Sequence, residues 1–181
     1  HPSIRTRGTI GGSAALADPA AEVPALLLAV NAQLEIVSTS SNRAIDAQDF
    51  FIGTYETALE AGELLQSITI PKPPAGARFA FHELARRHGD YAMAGAALAA
   101  DSVDPITKLR VVLFAVGDTA VRATTVEQAM EGKARDDIDA RETAIAEVAR
   151  LDFRADLNAG SDTKRHLIQV VLKRAFAELA E

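Results

Sequence analysis

Ile168, Val171, Leu172, Ala175, Phe176 and Leu179 recur at i, i+3, i+4, i+7, i+8 and i+11. That is the period of a helix with one apolar face, and it predicts a helix over 163–180 with Ser161 or Asp162 as its cap. Upstream, the same reading predicts helices over 125–130 and 140–151. Between 108 and 116 the pattern changes to a β-branched apolar run, the clearest strand in the chain. Gly117-Asp118 turns it back towards a partner over 120–123. Residues 78–85 read as a strand, then a polar corner over 86–90, then a strand over 91–100. That last segment is dominated by alanine, so the assignment runs against its helical propensity.

Pro71-Lys72-Pro73-Pro74-Ala75-Gly76 interrupts both periods and divides the chain. We therefore expect a domain over 1–71, a linker over 72–77 and a second domain over 78–181. In the first, 24–30 is almost entirely apolar and reads as a buried helix. Leu34 and Ile36 alternate in a half-buried strand over 33–38, with a partner over 43–46 across the Ser40-Ser41-Asn42 turn. Residues 48–53 read as a helical turn and 64–70 as a strand. Asp18-Pro19 has the form of an N-cap followed by proline at the first helical position. Strands followed by helices indicate an α+β fold.

Composition narrows the chemistry. The chain has 181 residues, no cysteine and 4 histidines. Without thiols it holds no iron–sulfur cluster and has no thiol catalysis, and no pair of histidines has metal-ligand spacing. Lys plus Arg number 19 against 25 acidic residues, a net charge of −6 that argues against a nucleic-acid surface. No apolar run approaches the ~20 residues of a membrane helix. The chain shows no paired-carboxylate or Ser-His-Asp pattern to support hydrolysis. Arg135-Asp136-Asp137-Ile138-Asp139 lacks the glycine and distal glutamate of a calcium loop.

One local feature stands out: Gly8-Thr9-Ile10-Gly11-Gly12-Ser13. Adjacent glycines allow close backbone approach, and such a loop entering a helix presents N–H groups to phosphate. It is neither a P-loop nor a dinucleotide GxGxxG, and a plain tight turn remains an alternative. His82, Glu22 and Arg86-Arg87-His88 are weaker candidates, whose default readings are an ordinary strand residue, a solvated helix-end carboxylate and a solvated corner.

The string Ile4-Arg5-Thr6-Arg7-Gly8-Thr9-Ile10-Gly11-Gly12-Ser13, followed by Ala17-Asp18-Pro19-Ala20-Ala21-Glu22-Val23-Pro24, closely resembles the flavoprotein (medium) subunit of the molybdenum hydroxylases. The resemblance extends to Asp49-Phe50-Phe51, Glu63-Leu64-Leu65, Gly89-Asp90-Tyr91-Ala92 and Arg165-His166-Leu167. It implies part of an FAD-binding domain of the PCMH type, followed by an α+β C-terminal domain like that of the carbon monoxide dehydrogenase flavoprotein. It implies FAD as cofactor and no metal on this chain. Thr9, Ile10, Gly11, Gly12 and Ser13 would form the second of two loops around the FAD diphosphate. Glu22 would contact the cofactor, and Leu65 would pack on the flavin ring. His82 would stand near the ring's polar edge, where relatives often carry lysine, and residues 86–91 beside the ring.

The resemblance further implies electron transfer in the cytoplasm. A large partner subunit would hold the molybdenum cofactor and a small one the iron–sulfur clusters, in a dimer of heterotrimers, with the flavin passing electrons to an external acceptor. The family's first glycine-rich loop precedes the matched region, so a truncated subunit with weakened FAD binding is expected. Two rivals remain: an interaction module that has lost flavin, and an independent phosphate- or nucleotide-binding domain.

Overall fold

The computed structural model describes residues 6–87 and 89–181. Ile4 and Arg5 of the resembling string, and His88 of the polar corner, lie outside the described residues. The first half contains helices α1 (Ile10–Leu16), α2 (Glu22–Ala29) and α3 (Ala47–Phe50). Strands β1 (Gln33–Val37), β2 (Asn42–Asp46) and β5 (Leu64–Thr69) form an antiparallel sheet with β1 central. A small hairpin, β3 (Phe51–Gly53) and β4 (Glu56–Thr57), precedes β5.

The second half is built on strands β6 (Arg78–Ala85), β7 (Ala92–Ala100), β10 (Arg110–Phe114) and β11 (Val121–Arg122). They form a four-stranded antiparallel sheet in the order β11-β10-β7-β6. A two-stranded ladder of β8 (Ser102–Val103) and β9 (Ile106–Thr107) follows β7. Helices α4 (Thr124–Met130), α5 (Ile138–Ala146) and α6 (Ser161–Leu179) complete the chain. The α+β expectation is met.

The alanine-rich strand is explained by what covers it. Ala94, Ala96, Leu98 and Ala100 of β7 point into a core with Ile168, Val171, Leu172, Ala175 and Phe176 of α6. Ala97 and Ala99 point the other way, into a core with Ala25, Leu27 and Leu28 of α2. Both faces are thus buried, which replaces the usual polar–apolar alternation by a continuous apolar run. Side chains that are mostly methyl groups let a helix approach on each side, and α6 packs on β6 and β7 while α2 packs on β10 and β7. The core of the first half is therefore closed by the sheet of the second.

Several expected boundaries move, each for a local reason. The predicted turn over 8–13 is the start of α1: the Thr9 hydroxyl accepts the Gly12 N–H at 2.9 Å and caps the helix. Asp18 caps no helix. Its Oδ1 accepts the Ala20 N–H in a tight turn, and α2 starts at Glu22. The strand expected over 108–116 is trimmed at both ends because Lys108 and Ala115 have φ of 49° and 60°, which no ladder accommodates. Only Val121–Arg122 of the expected 120–123 strand pairs. Residues 48–53 split into α3 and β3. The helix expected over 140–151 starts earlier, at Ile138, where the Asp137 carboxylate accepts the Ala140 N–H, and ends in a 3-10 turn, Glu147–Arg150. Neither Ser161 nor Asp162 caps α6; the capping position is Gly160, and Asp162 instead pairs with Arg165 at 2.7 Å.

Candidate functional site

The glycine segment owes its geometry to Thr9. A helix's first N–H groups have no carbonyl one turn earlier to bond. The Thr9 hydroxyl takes the Gly12 N–H and the Thr9 carbonyl takes the Ser13 N–H at 3.0 Å, while those of Ile10 and Gly11, in the first turn, have no intrahelical carbonyl to bond. The two glycines differ. A Cβ on Gly12 would stand 2.8 Å from the Thr9 hydroxyl, so glycine there is demanded by the cap itself. A Cβ on Gly11 would meet nothing within 4 Å. The space above Gly11 is open, and a side chain would fill it.

Helix α1 packs against α2, β4 and β5, which brings the elements carrying Thr9–Ser13, Glu22 and Leu65 onto one another. Leu65 lies half-buried against the first-half core, opposite Ile36 in the β1–β5 ladder. Glu22 is the exposed first residue of α2, where its negative charge complements the helix dipole. Ile10 remains 67% exposed beside the open glycine.

His82 lies on β6. Along β6, Ala80 and Leu84 pack into the α6 core, whereas Phe81 packs into the α2 core. His82 shares the α6 face, and its Nε2 lies 3.1 Å from Oε2 of Glu178 near the end of α6. Its neighbours are thus Glu178 of α6 and its ladder partner Ala96 in β7. In the polar corner, Arg86 donates to the Asn158 carbonyl at 3.3 Å, Arg87 pairs with Asp90 at 3.5 Å, and the Tyr91 ring is exposed.

Sequence reasoning missed three buried charged groups, Asp18, Glu127 and Lys164. Asp18 was read as a cap but is 8% exposed and accepts the Tyr55 hydroxyl at 3.2 Å. Lys164, 3% exposed, donates to the Ala115 carbonyl and to Asp156, each at 2.6 Å. Burial works to raise the Asp156 carboxyl, but Lys164 and the Ala159 and Asn158 N–H groups outweigh it and hold it below its ordinary value. No group of acidic or histidine side chains among the described residues is arranged to hold a metal.

The residues of α1 fit an anionic cofactor. First-turn N–H groups at a helix start, beside a glycine with open space above it, are the kind of donor set a diphosphate takes. Residues 1–73 match the family described as the FAD binding domain in molybdopterin dehydrogenase. Residues 79–179 match the CO dehydrogenase flavoprotein C-terminal domain. The chain belongs to the flavoprotein family of the molybdopterin dehydrogenases.

Within this family, the chain is 33% identical over 179 residues to the nicotine 6-hydroxylase medium subunit of Paenarthrobacter nicotinovorans, covering 98% of this chain and 62% of that one. It is 34% identical to the carbon monoxide dehydrogenase medium chain of Hydrogenophaga pseudoflava, covering 97% and 61%. The fold matches the solved carbon monoxide dehydrogenase of Hydrogenophaga pseudoflava with a TM-score of 0.92 at 35% identity, over 99% of this chain and 63% of that one. Quinoline 2-oxidoreductase from Pseudomonas putida 86 matches with a TM-score of 0.90, also at 35% identity, over 99% and 63%. The flavoprotein chain described here thus spans about three fifths of the length of these relatives. No described helix is long and apolar enough to cross a membrane.

Proposed function

We propose that this chain carries the FAD of an electron-transfer medium subunit. In this reading a large partner holds the molybdenum cofactor and a small partner the iron–sulfur clusters, in a dimer of heterotrimers. Residues 1–71 and 78–181 are its two domains. The observation that carries the reading is the start of α1, with its first-turn N–H groups and an open glycine inside the segment that matches the FAD-binding family. The absence of cysteine from the chain agrees with clusters held elsewhere.

Bound FAD would supply reversible electron uptake and release; the protein supplies binding and orientation. In the proposal, Ile10 and Gly11 donate N–H groups to the diphosphate, Thr9 holds those groups in register, Leu65 excludes water from the ring, and Glu22 orients the cofactor.

The test is a titration of the chain with FAD, with ADP and riboflavin as competitors. Saturable FAD binding, competed weakly by either half of the cofactor alone, supports the reading. Equal affinity for ADP and FAD would favour the phosphate-binding rival. No binding at all would favour the interaction module.

A further inference from the structure

Three non-glycine residues with left-handed backbones meet around residues 17–19. Ala17 ends α1 at φ 52°, Tyr55 sits between β3 and β4 at φ 56°, and Ala115 follows β10 at φ 60°. The Tyr55 N–H donates to the Ala17 carbonyl at 3.2 Å, and the Ala115 N–H donates to the Pro19 carbonyl at 2.8 Å. A residue with a Cβ holds this conformation only where its surroundings impose it, and such positions gather at functional sites.

Asp18 lies between them. Its Oδ1 accepts the Ala20 N–H at 2.9 Å and its Oδ2 accepts the Tyr55 hydroxyl. The carboxylate's charge pushes the Tyr55 phenol above its ordinary value, which keeps it a donor. Next to Tyr55, the Thr54 hydroxyl donates to Asp118 at 3.1 Å, fastening the same turn to the second half of the chain. Lys164 secures the Ala115 carbonyl from the other side.

Helix α1 needs this hub. It has seven residues, too few to be stable alone. Its buried side chains are only Ala14 and, at the cap, Ala17, while Ile10 and Leu16 are 67% and 53% exposed. Two buried methyl groups give its packing on α2, β4 and β5 little apolar grip, so the polar contacts at its C-terminal end carry much of its orientation. We infer that Asp18 and Tyr55 are positioning residues for the cofactor site: their hydrogen bond fixes the C-terminal end of α1 so that its glycine-bearing N-terminus is held at one place and angle.

This inference rests on the FAD reading, and the experiment separates the two. Tyr55→Phe, Asp18→Ala and Asp18→Asn are compared with the parent chain by three measurements: hydrogen exchange of the amides of 10–17, FAD titration by flavin fluorescence, and thermal melting. Losing one hydrogen bond to a charged acceptor corresponds to a change on the order of tenfold. Tyr55→Phe and Asp18→Ala are expected to speed exchange in 10–17 and weaken FAD by about that factor, with little change in the melting of the whole chain. Asp18→Asn, whose amide still pairs with the phenol, is expected to stay close to the parent. Because the Tyr55 ring is 60% exposed, Tyr55→Phe decides alone if Asp18→Ala does not fold. If the parent binds FAD while Tyr55→Phe exchanges and binds as the parent does, the positioning role is overturned and the FAD reading stands. If the parent binds no FAD, both fall.

Discussion

Gly95 lies against the face of Phe114: a Cβ added to Gly95 would stand 2.1 Å from the ring's Cζ. The two residues are partners in the β7–β10 ladder, and Phe81 stacks on the same ring at 5.6 Å between centroids. Phe114 is fully buried in the core that joins the two halves of the chain. Gly95→Ala therefore forces the ring to move, and overpacking of this kind costs about 1–3 kcal/mol. Urea denaturation is expected to show a lower midpoint with an unchanged slope. An unchanged midpoint would mean that the ring has room to shift.

The long periodic elements were legible from sequence. The spacing from Ile168 to Leu179 placed α6 correctly, because one face of a long helix must be apolar. The 91–100 segment was read as a strand despite its alanines, and burial on both faces explains why alanine serves there. The start of α1 was not legible. Two adjacent glycines signal a turn by propensity, and only the capping hydroxyl of Thr9, seen in three dimensions, turns them into a helix. The two-residue ladders β3–β4 and β8–β9 are too short to leave any alternation. Of the site, the sequence pointed to Thr9–Ser13 but gave its two glycines the same role. Asp18 and Lys164 were hidden because burial of a single charged residue leaves no pattern along a chain; only its partners, distant in sequence, reveal it.

A second prediction concerns pH. Arg43 donates to both carboxylate oxygens of Glu63, at 2.9 and 2.8 Å, and to the Ala58 carbonyl, tying β2 to the segment before β5. The hydrogen bond from Arg43, aided by the Glu60 N–H, lowers the Glu63 carboxyl from 4.5 to about 2. A depressed folded-state value means that this stabilisation is fully present above about pH 4.5 and is lost as pH falls towards 2. Glu63→Gln is expected to melt below the parent at pH 7, with the gap closing between pH 4.5 and 2. A gap of constant size across that range would show that the ion pair does not contribute.

The resemblance implies that His82 stands near the flavin's polar edge, and in the structure its ring lies beside Glu178. His82→Lys would then place an ammonium against that carboxylate, which offsets its charge. Redox titration of the FAD-loaded chain at pH 8 is expected to give the parent's midpoint potential. A clear rise would place residue 82 within reach of the flavin's field.

The central claim is that the start of α1 holds the cofactor through its backbone, and Gly11→Ala tests it most directly. Gly11 is helical, and its Cβ would meet no protein atom within 4 Å. Alanine in place of a helical glycine stabilises a protein by about 0.5–1 kcal/mol. The same methyl group would occupy the open space where the diphosphate is proposed to lie. Melting temperature and FAD affinity, measured on the same sample, are therefore expected to move in opposite directions, stability up and FAD binding down. A stabilised variant that binds FAD as tightly as the parent would contradict the account.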